Sequence, residues 1–249
     1  MTPPFKLACF DFDWSLIETD SDRFVIEALS PILRQKLEAS ELQWTDLQNE
    51  CLKEFHEQGG SPRVIEDALS RIPMDPAMIQ SCQRLKANGW TLAIVSDANS
   101  VYIEGILKHY GIRSLFSHVI TNPAHWDREG RLHIQRLVPR DAPHRCPIGV
   151  CSLNICKGQE VDKLFQLHRD HQNESLTTAA PLMLYVGDGQ NDYCPALRLQ
   201  KDDVYFVRRG RSLERYLSKG GPKIQEAIQG RIVYWNTPTD ILSELVEII

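Results

Sequence analysis

The amino-acid sequence predicts an α/β protein with a doubly wound parallel sheet and a helical insertion after the first strand. Two observations support this fold class. Short apolar runs typical of buried strands alternate with segments of helical periodicity, which favours parallel strands joined by right-handed crossovers. Residues 21–73 show helical patterns only, and they lie between the first and second predicted strands. A chain of 249 residues is long enough for one or two domains.

The predicted elements follow from local patterns. The apolar run at residues 5–10 is bounded by acids and predicts a buried strand. Apolar residues at helical spacing then begin behind Ser21, which could cap a helix, and Gly59-Gly60 ends a later, polar helix. The predicted elements of the first half are a strand over 5–10, helices over 21–33, 41–58 and 62–71, a helix ended by Asn88-Gly89, a strand over 90–95, a helix over 101–110 and a strand over 118–121.

The second half begins with an irregular region in which prolines break any long element. Within it, the turn Glu129-Gly130 precedes an alternating apolar stretch and predicts a hairpin. The remaining predicted elements are a helix over 157–171, a polar spacer over 170–178, strands over 182–186, 204–207 and 232–235, and an amphipathic helix from about residue 237.

Composition excludes several classes of protein. Hydrophobic residues make up 42% and charged residues 24%, as in ordinary globular proteins. A net charge of −5 argues against a nucleic-acid partner, because phosphate backbones attract basic surfaces. No apolar run approaches the roughly 18 residues that a membrane span needs, so we expect no membrane partner. The start of the chain has no pattern of a secretory or transit peptide, and the seven cysteines are then expected to be reduced thiols in the cytoplasm.

Polar and charged side chains follow the predicted strands where each strand ends. Asp11-Phe12-Asp13 follows the first strand, Ser96-Asp97 follows the second, and Gly187-Asp188 follows the strand over 182–186. Lys157 lies at the start of a predicted helix. Ligands of doubly wound sheets bind at the carboxyl ends of the strands, so we expect these groups to meet at one edge.

The residue types point to phosphoryl transfer. Asp11 and Asp188 offer the hard oxygens that Mg²⁺ prefers. Lys157 and the Ser96 hydroxyl are suited to hold phosphate oxygens, and Asp13 is placed to protonate a leaving oxygen. Each piece alone is more typical of an ordinary turn or a solvated side chain. Together, in one order and at strand ends, they favour a functional site.

The motifs resemble those of a known superfamily. Asp11-x-Asp13, Ser96, Lys157 and Gly187-Asp188-x-x-x-Asp192 are similar, in order and context, to the four motifs of the haloacid-dehalogenase-like phosphatases. Several longer segments resemble the phosphoethanolamine/phosphocholine phosphatase family, with its pyridoxal-phosphate phosphatase relatives. These segments are SDAN at 96–99, TNP at 121–123, CSLNICK at 151–157, GDGQNDYCP at 187–195 and RRG at 208–210.

This resemblance implies a fold and a mechanism. It implies a Rossmann-like catalytic core over 1–20 and 74–249, a small helical cap over 21–73, and a phosphoaspartyl intermediate. The implied nucleophile and magnesium ligand is Asp11, and Asp13 is the implied acid/base, binding magnesium through its carbonyl. Asp188 is the implied third ligand, with Asp192 behind it.

The resemblance also places Asp22 and Asp97 against the substrate headgroup. Two acids there would attract a cationic leaving group such as ethanolamine or choline. The alternatives are local: Asp22 could cap a helix, and Asp97 could hold a backbone amide in its turn. The expected function is that of a magnesium-dependent phosphatase that hydrolyses a small phosphomonoester of the phosphoethanolamine or phosphocholine type through a phosphoaspartyl intermediate. The alternatives are hydrolysis of pyridoxal phosphate, thiamine phosphate or pyrophosphate, phosphotransfer to another acceptor, or a catalytically silent binding protein, and the oligomeric state is open.

Two further groups of residues have open roles. Cys146, Cys151 and Cys156 lie beside His144, but zinc sites usually have a second matching pair, so we expect a reduced structural role rather than zinc. Cys194 is expected to serve packing. The arginines at 208, 209 and 211 are expected to form a solvated loop rather than a phosphate site.

Overall fold

The computed structural model describes residues 4–171 and 180–249, with the backbone alone at residues 170 and 171. Most of the predicted polar spacer over 170–178 lies outside the described residues. No helix in the described part of the chain is long and apolar enough to cross a membrane.

A six-stranded parallel sheet forms the centre of the fold and confirms the predicted fold class. Its order is β3-β2-β1-β6-β7-β8, and every neighbouring pair is parallel. In the register of the central strand, Leu7 lies opposite Thr91 on one side and Met183 on the other. The strands are β1 (Lys6–Phe10), β2 (Thr91–Asn99), β3 (Phe116–Asn122), β4 (Ala124–Trp126), β5 (Leu132–Ile134), β6 (Leu182–Gly187), β7 (Val204–Arg208) and β8 (Arg231–Trp235), of which β4 and β5 form the predicted antiparallel hairpin.

Helices cover both faces of the sheet. The helices are α1 (Ser21–Leu29), α2 (Pro31–Ala39), α3 (Trp44–Glu57), α4 (Pro62–Ser70), α5 (Pro76–Ala87), α6 (Ser100–His109), α7 (Lys157–His171), α8 (Tyr193–Ala196), α9 (Ser212–Lys219), α10 (Pro222–Glu226) and α11 (Pro238–Ile248). The two faces bury separate cores because strand side chains alternate. In β1, Ala8 and Phe10 pack with the core that includes α1–α6 and α11, whereas Leu7 and Cys9 pack with α7 and α9.

The structure differs locally from the predicted elements. The helix predicted over 21–33 is two helices, because Ser30 caps α2 by accepting from the amides of Ile32 and Leu33, and Pro31 begins that helix. The cap of α1 is Asp20 rather than Ser21, since the Asp20 carboxylate accepts from the Arg23 amide at 2.9 Å. The helices α8, α9 and α10 were not predicted.

The sheet topology fixes where a ligand can bind. The chain order reverses between β1 and β6, which lie side by side at the centre, and a crevice forms beyond the carboxyl ends of such a pair. Helices α1–α4 follow β1 directly in the chain. The division into a core and a cap at residues 20 and 74 stays a prediction.

Candidate active site

The loop after β1 presents its first aspartate at the sheet edge. The Asp11 amide donates to the Val186 carbonyl at 2.9 Å, which continues the pairing of β1 with β6 by one residue. An irregular turn follows at Phe12–Leu16, in which the backbone of Asp13 and Trp14 is not helical, and the Asp11 carboxylate accepts from the Phe12 amide at 2.8 Å. Trp14 in this turn has φ +57°, a strained conformation for a bulky residue. The turn directs the chain after Asp11 away from the sheet.

A buried lysine lies against the first aspartate. Lys157 begins α7, and its side chain is 1% exposed. Its ammonium nitrogen Nζ lies 2.7 Å from Asp11 Oδ1 and 2.8 Å from Asp192 Oδ1. A buried ammonium requires such pairing, because desolvation of an unpaired charge costs several kcal/mol. The structure therefore brings together the ends of β1, β6 and the start of α7, as the sequence predicts for the fold.

Asp192 organises the loop after β6. Its Oδ1 accepts from Lys157 Nζ and from the Tyr185 hydroxyl, each at 2.8 Å. Its Oδ2 accepts from the amides of Asp188 at 3.1 Å and Gly189 at 2.9 Å. A Cβ on Gly187 would lie 2.6 Å from the Asp192 carboxyl carbon, so this position has no room for a side chain. With both oxygens engaged, Asp192 positions Asp188 and Lys157 rather than offering a free ligand atom.

The three carboxylates of Asp11, Asp188 and Asp192 form a tight cluster. One oxygen from each falls within 4.8 Å of the others. Burial, and then the charge of Asp192, raises the pKa of Asp11 well above its ordinary value and that of Asp188 to about 7. Burial alone lowers the pKa of Lys157, but Asp11 and Asp192 outweigh it and raise that pKa. One ammonium among three carboxylates leaves a deficit of positive charge, and an all-oxygen donor set fits Mg²⁺.

Asp13 lies in surroundings that favour its protonated form. Its Oδ1 accepts from the Ser21 amide at 2.9 Å. Burial, and then the nearby carboxylates of Asp20 and Asp22, raises the pKa of Asp13 well above its ordinary value. A carboxylic acid can donate a proton near neutral pH only if its pKa is raised in this way. The environment of Asp13 suits a general acid.

The last part of β2 contributes a hydroxyl and a carboxylate, because β2 runs on to Asn99 and thus includes Ser96 and Asp97, which were predicted to follow it. Ser96 is fully buried, and its Oγ accepts from the Ala98 amide at 3.1 Å. Asp97 Oδ2 accepts from side chains, Asn191 Nδ2 at 3.1 Å and Ser152 Oγ at 3.2 Å. The alternative that Asp97 holds a backbone amide is thus wrong, since Ser96 holds the amide in this turn.

The Asp22 side chain does not cap its own helix, α1. Its Oδ2 accepts from the Trp44 indole nitrogen at 2.7 Å, whereas Oδ1 is buried and makes no hydrogen bond of standard geometry. The alternative that Asp22 caps α1 is wrong, because Asp20 does so. Burial, and then the charge of Asp20, raises the pKa of Asp22 to about 8. Asp22 and Asp97 line the same narrow crevice, together with Asn99, and this crevice has no room for a water molecule.

Arg208 is buried and acts as a clamp on the loop after β1. The prediction that the arginines at 208, 209 and 211 form a solvated loop is therefore wrong for Arg208. Its Nη1 donates to the Trp14 carbonyl at 2.6 Å, and Nη2 pairs with Glu18 Oε2 at 2.5 Å. Its guanidinium carbon lies 4.8 Å from the Trp235 ring centre, and that of Arg211 lies 3.4 Å from the Trp14 ring centre. These contacts hold the strained turn next to Asp13. No local pattern indicates these contacts, because Glu18 and Trp14 are about 190 residues away from Arg208 in the chain.

The cysteines also differ from expectation. Cys146, Cys151 and Cys156 lie together, and Cys194 joins them, with all four sulfurs within 4.8 Å of one another. Cys194 was expected to serve packing only. The four thiols form a second cluster beside the carboxylates, since Lys157 follows Cys156 directly and Asp192 lies two residues before Cys194.

Comparisons with known proteins point to phosphatases. A family model described as "Putative Phosphatase" matches residues 6–249. A thiamine phosphate phosphatase-like protein of Arabidopsis thaliana is 33% identical, with 96% of this chain and 95% of the relative covered. Inorganic pyrophosphatase 1 of Arabidopsis thaliana is 34% identical, with 88% and 72% covered. Pyridoxal phosphate phosphatase PHOSPHO2 of Mus musculus is 29% identical, with 96% of both chains covered.

Solved structures agree in fold. A substrate-bound phosphoserine phosphatase complex matches with a TM-score of 0.59 and 13% identity, covering 98% of this chain and 99% of that chain. A phosphoserine phosphatase with a phospho-aspartyl intermediate analogue matches with a TM-score of 0.55 and 15% identity, covering 99% and 100%. At this identity the likeness is one of fold.

Replacing the clamp should destabilise the protein and impair its site. We expect Arg208→Gln to lower the free energy of unfolding by about 2–4 kcal/mol, because it leaves Glu18 without its buried partner and the Trp14 turn unsupported. The neighbouring Arg209→Gln is the matched control. Arg209 is exposed, so its loss should cost less than about 1 kcal/mol. Urea unfolding of both variants measures the difference, and equal stabilities would contradict the clamp.

Proposed function

Because the chain belongs to this phosphatase family and is a haloacid-dehalogenase-like phosphatase, we propose that it is magnesium-dependent and hydrolyses a small phosphomonoester through a phosphoaspartyl intermediate. The membership makes the chain a hydrolase of phosphoric esters. The observation that carries the mechanism is the Lys157 ammonium, 2.7 Å from the Asp11 carboxylate at the crevice between β1 and β6.

The first step joins the phosphoryl group to the protein. An Asp11 carboxylate oxygen attacks phosphorus, and the bond from phosphorus to the ester oxygen breaks. The leaving oxygen takes the proton that Asp13 holds, which the raised pKa of Asp13 makes available near neutral pH. Lys157 and the Ser96 hydroxyl hold the remaining phosphate oxygens and offset their charge.

The second step returns the carboxylate. Asp13, now ionised, removes a proton from water, whose oxygen attacks the phosphorus. The bond from phosphorus to the Asp11 oxygen breaks, and phosphate leaves. Asp13 thus serves first as acid and then as base. Throughout, Asp192 keeps Lys157 and the loop of Asp188 in place by its four hydrogen bonds.

A magnesium ion fits the carboxylate cluster and would be held by the side chains of Asp11 and Asp188 and the carbonyl of Asp13. When bound, it supplies the positive charge that lets an anionic carboxylate approach an anionic phosphate. Burial, and then the charge of Asp192, raises the pKa values of Asp11 and Asp188, and a bound divalent cation would favour their ionised forms.

The leaving group is proposed to be cationic. The crevice lined by Asp22 and Asp97 is acidic, and Asp20 adds a further carboxylate nearby. The Asn99 side chain lies beside the Asp22 carboxylate and the crevice is closed in this structure, so a cation would enter only with a movement of the proposed cap, and its charge would then offset that of Asp22. This favours ethanolamine-type, choline-type or thiamine-type phosphates over pyrophosphate, whose leaving group is an anion. Helices α1–α4 are the proposed cap that closes over this crevice.

The remaining alternatives keep the same site. Transfer of the phosphoryl group to an acceptor other than water would use the same first step. A silent binding protein is disfavoured, since the nucleophile, acid, lysine and metal-binding residues are all present. We also propose a cytoplasmic location for the protein.

Loss of the nucleophile should abolish turnover. Asp11→Asn removes the attacking charge, so we expect kcat to fall by at least about a thousandfold, as for other covalent nucleophiles. Acid-quenched wild type should carry one phosphoryl group on the Asp11 peptide in mass spectrometry, and the variant none. The exposed Asp202→Asn, between α8 and β7, is the control and should stay near wild-type rates. More than about a tenth of the rate in Asp11→Asn would contradict the covalent mechanism.

Metal removal should be reversible. We expect brief treatment with a chelator to abolish hydrolysis of p-nitrophenyl phosphate, and Mg²⁺ to restore it. Ca²⁺ should inhibit, because its longer and looser coordination misplaces the nucleophile. Zn²⁺ should not substitute, since the donor set is oxygen. Full activity in the presence of chelator would contradict the proposal.

The two crevice acids should act on selectivity. We expect Asp22→Asn and Asp97→Asn to lower kcat/KM for phosphoethanolamine by tenfold to a hundredfold, the equivalent of an ion pair of about 1–3 kcal/mol. Activity on p-nitrophenyl phosphate, which has no cation, is the matched control and should change less than about threefold. Equal losses on both substrates would assign the acids to folding or chemistry instead. A wild-type preference for pyrophosphate would contradict the cationic leaving group.

Asp22→Asn should also make the folded protein more stable at pH 8. Because the folded pKa of Asp22 is raised to about 8, the wild type loses stability as the pH rises from about 4 to 8. Asn keeps an oxygen for the Trp44 indole but has no charge. We therefore expect Asp22→Asn to have a higher melting temperature than the wild type at pH 8, and the difference to vanish near pH 4. A lower melting temperature at pH 8 would show that the charge supports the fold.

A further inference from the structure

Four cysteine sulfurs form a closed cluster next to the carboxylate site. Cys146 and Cys151 come from the irregular segment before α7, Cys156 directly precedes α7, and Cys194 lies in α8. Cys156 and Cys194 are fully buried, whereas Cys146 and Cys151 are partly exposed. Two separate parts of the chain, the segment over residues 146–156 and the helix α8, therefore converge on one point.

The distances among the sulfurs have the size of a tetrahedral metal site. Cys146 Sγ lies 3.5 Å from that of Cys151 and 3.6 Å from that of Cys194. Cys156 Sγ lies 3.6 Å from that of Cys151 and 3.7 Å from that of Cys194. Four sulfurs at a Zn–S distance of about 2.3 Å would be separated by about 3.8 Å. The remaining two pairs fall within 4.8 Å.

The surroundings suit four negative sulfurs. The guanidinium of Arg198 donates to Cys194 Sγ at 3.4 Å and to the Cys194 carbonyl at 2.8 Å, while Asp162 anchors the other side of that guanidinium. A Cβ on Gly158 would lie 2.7 Å from Cys194 Sγ, so the start of α7 approaches the cluster through a residue without a side chain.

A histidine supports the loop without joining the cluster. His144 Nε2 is 2.8 Å from the Ser152 carbonyl, and its Nδ1 accepts from the Cys146 amide at 3.4 Å. Both ring nitrogens are therefore engaged by the backbone, and the donor set is four sulfurs. Sulfur ligands in this number select zinc over magnesium or calcium.

We propose that Cys146, Cys151, Cys156 and Cys194 bind one structural zinc ion. On binding, each thiol loses its proton and forms one Zn–S bond, and no oxidant or reductant takes part. Four protein ligands leave no open position, so the ion is structural rather than catalytic. The site is separate from the proposed magnesium site, whose ligands are oxygens.

The zinc ion would fix the geometry of the phosphate site. Cys156 is bonded to Lys157 in the chain, and Cys194 is two residues from Asp192. One ion bound to both cysteines would thus hold in place the two chain segments that carry Lys157 and Asp192, the partners of the buried ion pair. Cys151 precedes Ser152, whose hydroxyl donates to Asp97, so the same ion would steady the crevice.

Metal analysis of the full chain tests the proposal without relying on activity. The protein is expressed in zinc-supplemented medium, purified without chelator, and analysed by inductively coupled plasma mass spectrometry. We expect about one zinc per chain. Exchange with Co²⁺ should give the intense sulfur-to-metal charge-transfer absorption of a tetrahedral thiolate site. Two results would overturn the proposal. One is a zinc content below about a fifth of one ion per chain, with all thiols titrating as free after denaturation. The other is a thiol titration that finds four fewer free thiols, because the four cysteines have formed two disulfides.

Matched cysteine variants locate the ion. Cys151→Ser, in the partly exposed loop, should lose most of the zinc and the cobalt absorption, and its melting temperature should fall by several degrees. Cys82→Ser is the control, because Cys82 is a buried thiol outside the cluster and its replacement should leave zinc at about one per chain. Undiminished zinc in Cys151→Ser would overturn the assignment. The result is independent of the proposed phosphatase reaction, since metal content is read directly.

Discussion

The ammonium of Lys157, buried between the carboxylates of Asp11 and Asp192, is the interaction on which the arrangement of this site depends. An unpaired ammonium at this depth would cost several kcal/mol, so the start of α7 must bring Lys157 to the two acids. Asp192 in turn holds the backbone amides of the loop that bears Asp188. One charge thereby sets the positions of three chain segments, and each begins or ends at the carboxyl edge of the sheet.

The site holds more buried carboxylates than positive charges. This imbalance lowers the stability of the fold and supplies the groups for the proposed reaction. Burial raises the pKa values of Asp11, Asp13, Asp22 and Asp188, which means that the ionised forms weaken the fold. The same burial gives each acid a use in the proposed reaction. Asp13 can keep a proton for the leaving group, and Asp11 with Asp188 can attract a divalent ion. Asp22 can be satisfied by a cationic headgroup. Stability and activity are thus expected to oppose each other in this site.

The sequence predicted the sheet and the elements whose signals are local. Apolar runs identified all six strands of the parallel sheet, and Asp11 and Asp188 directly follow strand ends, as predicted, whereas Ser96 lies inside β2 because that strand runs on to Asn99. The roles of these residues stay predictions. Local patterns failed where a neighbouring residue offered a better partner, as when Asp20 rather than Ser21 capped α1 and Ser30 with Pro31 divided the first predicted helix. They also failed for long-range contacts. Neither the burial of Arg208 against Glu18 nor the approach of Cys194 to the other cysteines can be deduced from spacing, because only the folded chain brings these residues together.

The stability of Lys157→Met against pH, measured by urea unfolding in chelator, tests the central role of this lysine most directly. Met keeps much of the side-chain volume but leaves Asp11 and Asp192 without their cation. We expect a loss in the free energy of unfolding of about 3–5 kcal/mol at pH 7. The loss should shrink markedly at pH 5, because Asp11, whose pKa burial already raises, can then bind a proton and its charge no longer needs a partner. A loss below about 1 kcal/mol, or an equal loss at both pH values, would contradict the account, because the ammonium would then not be what holds the carboxylates together.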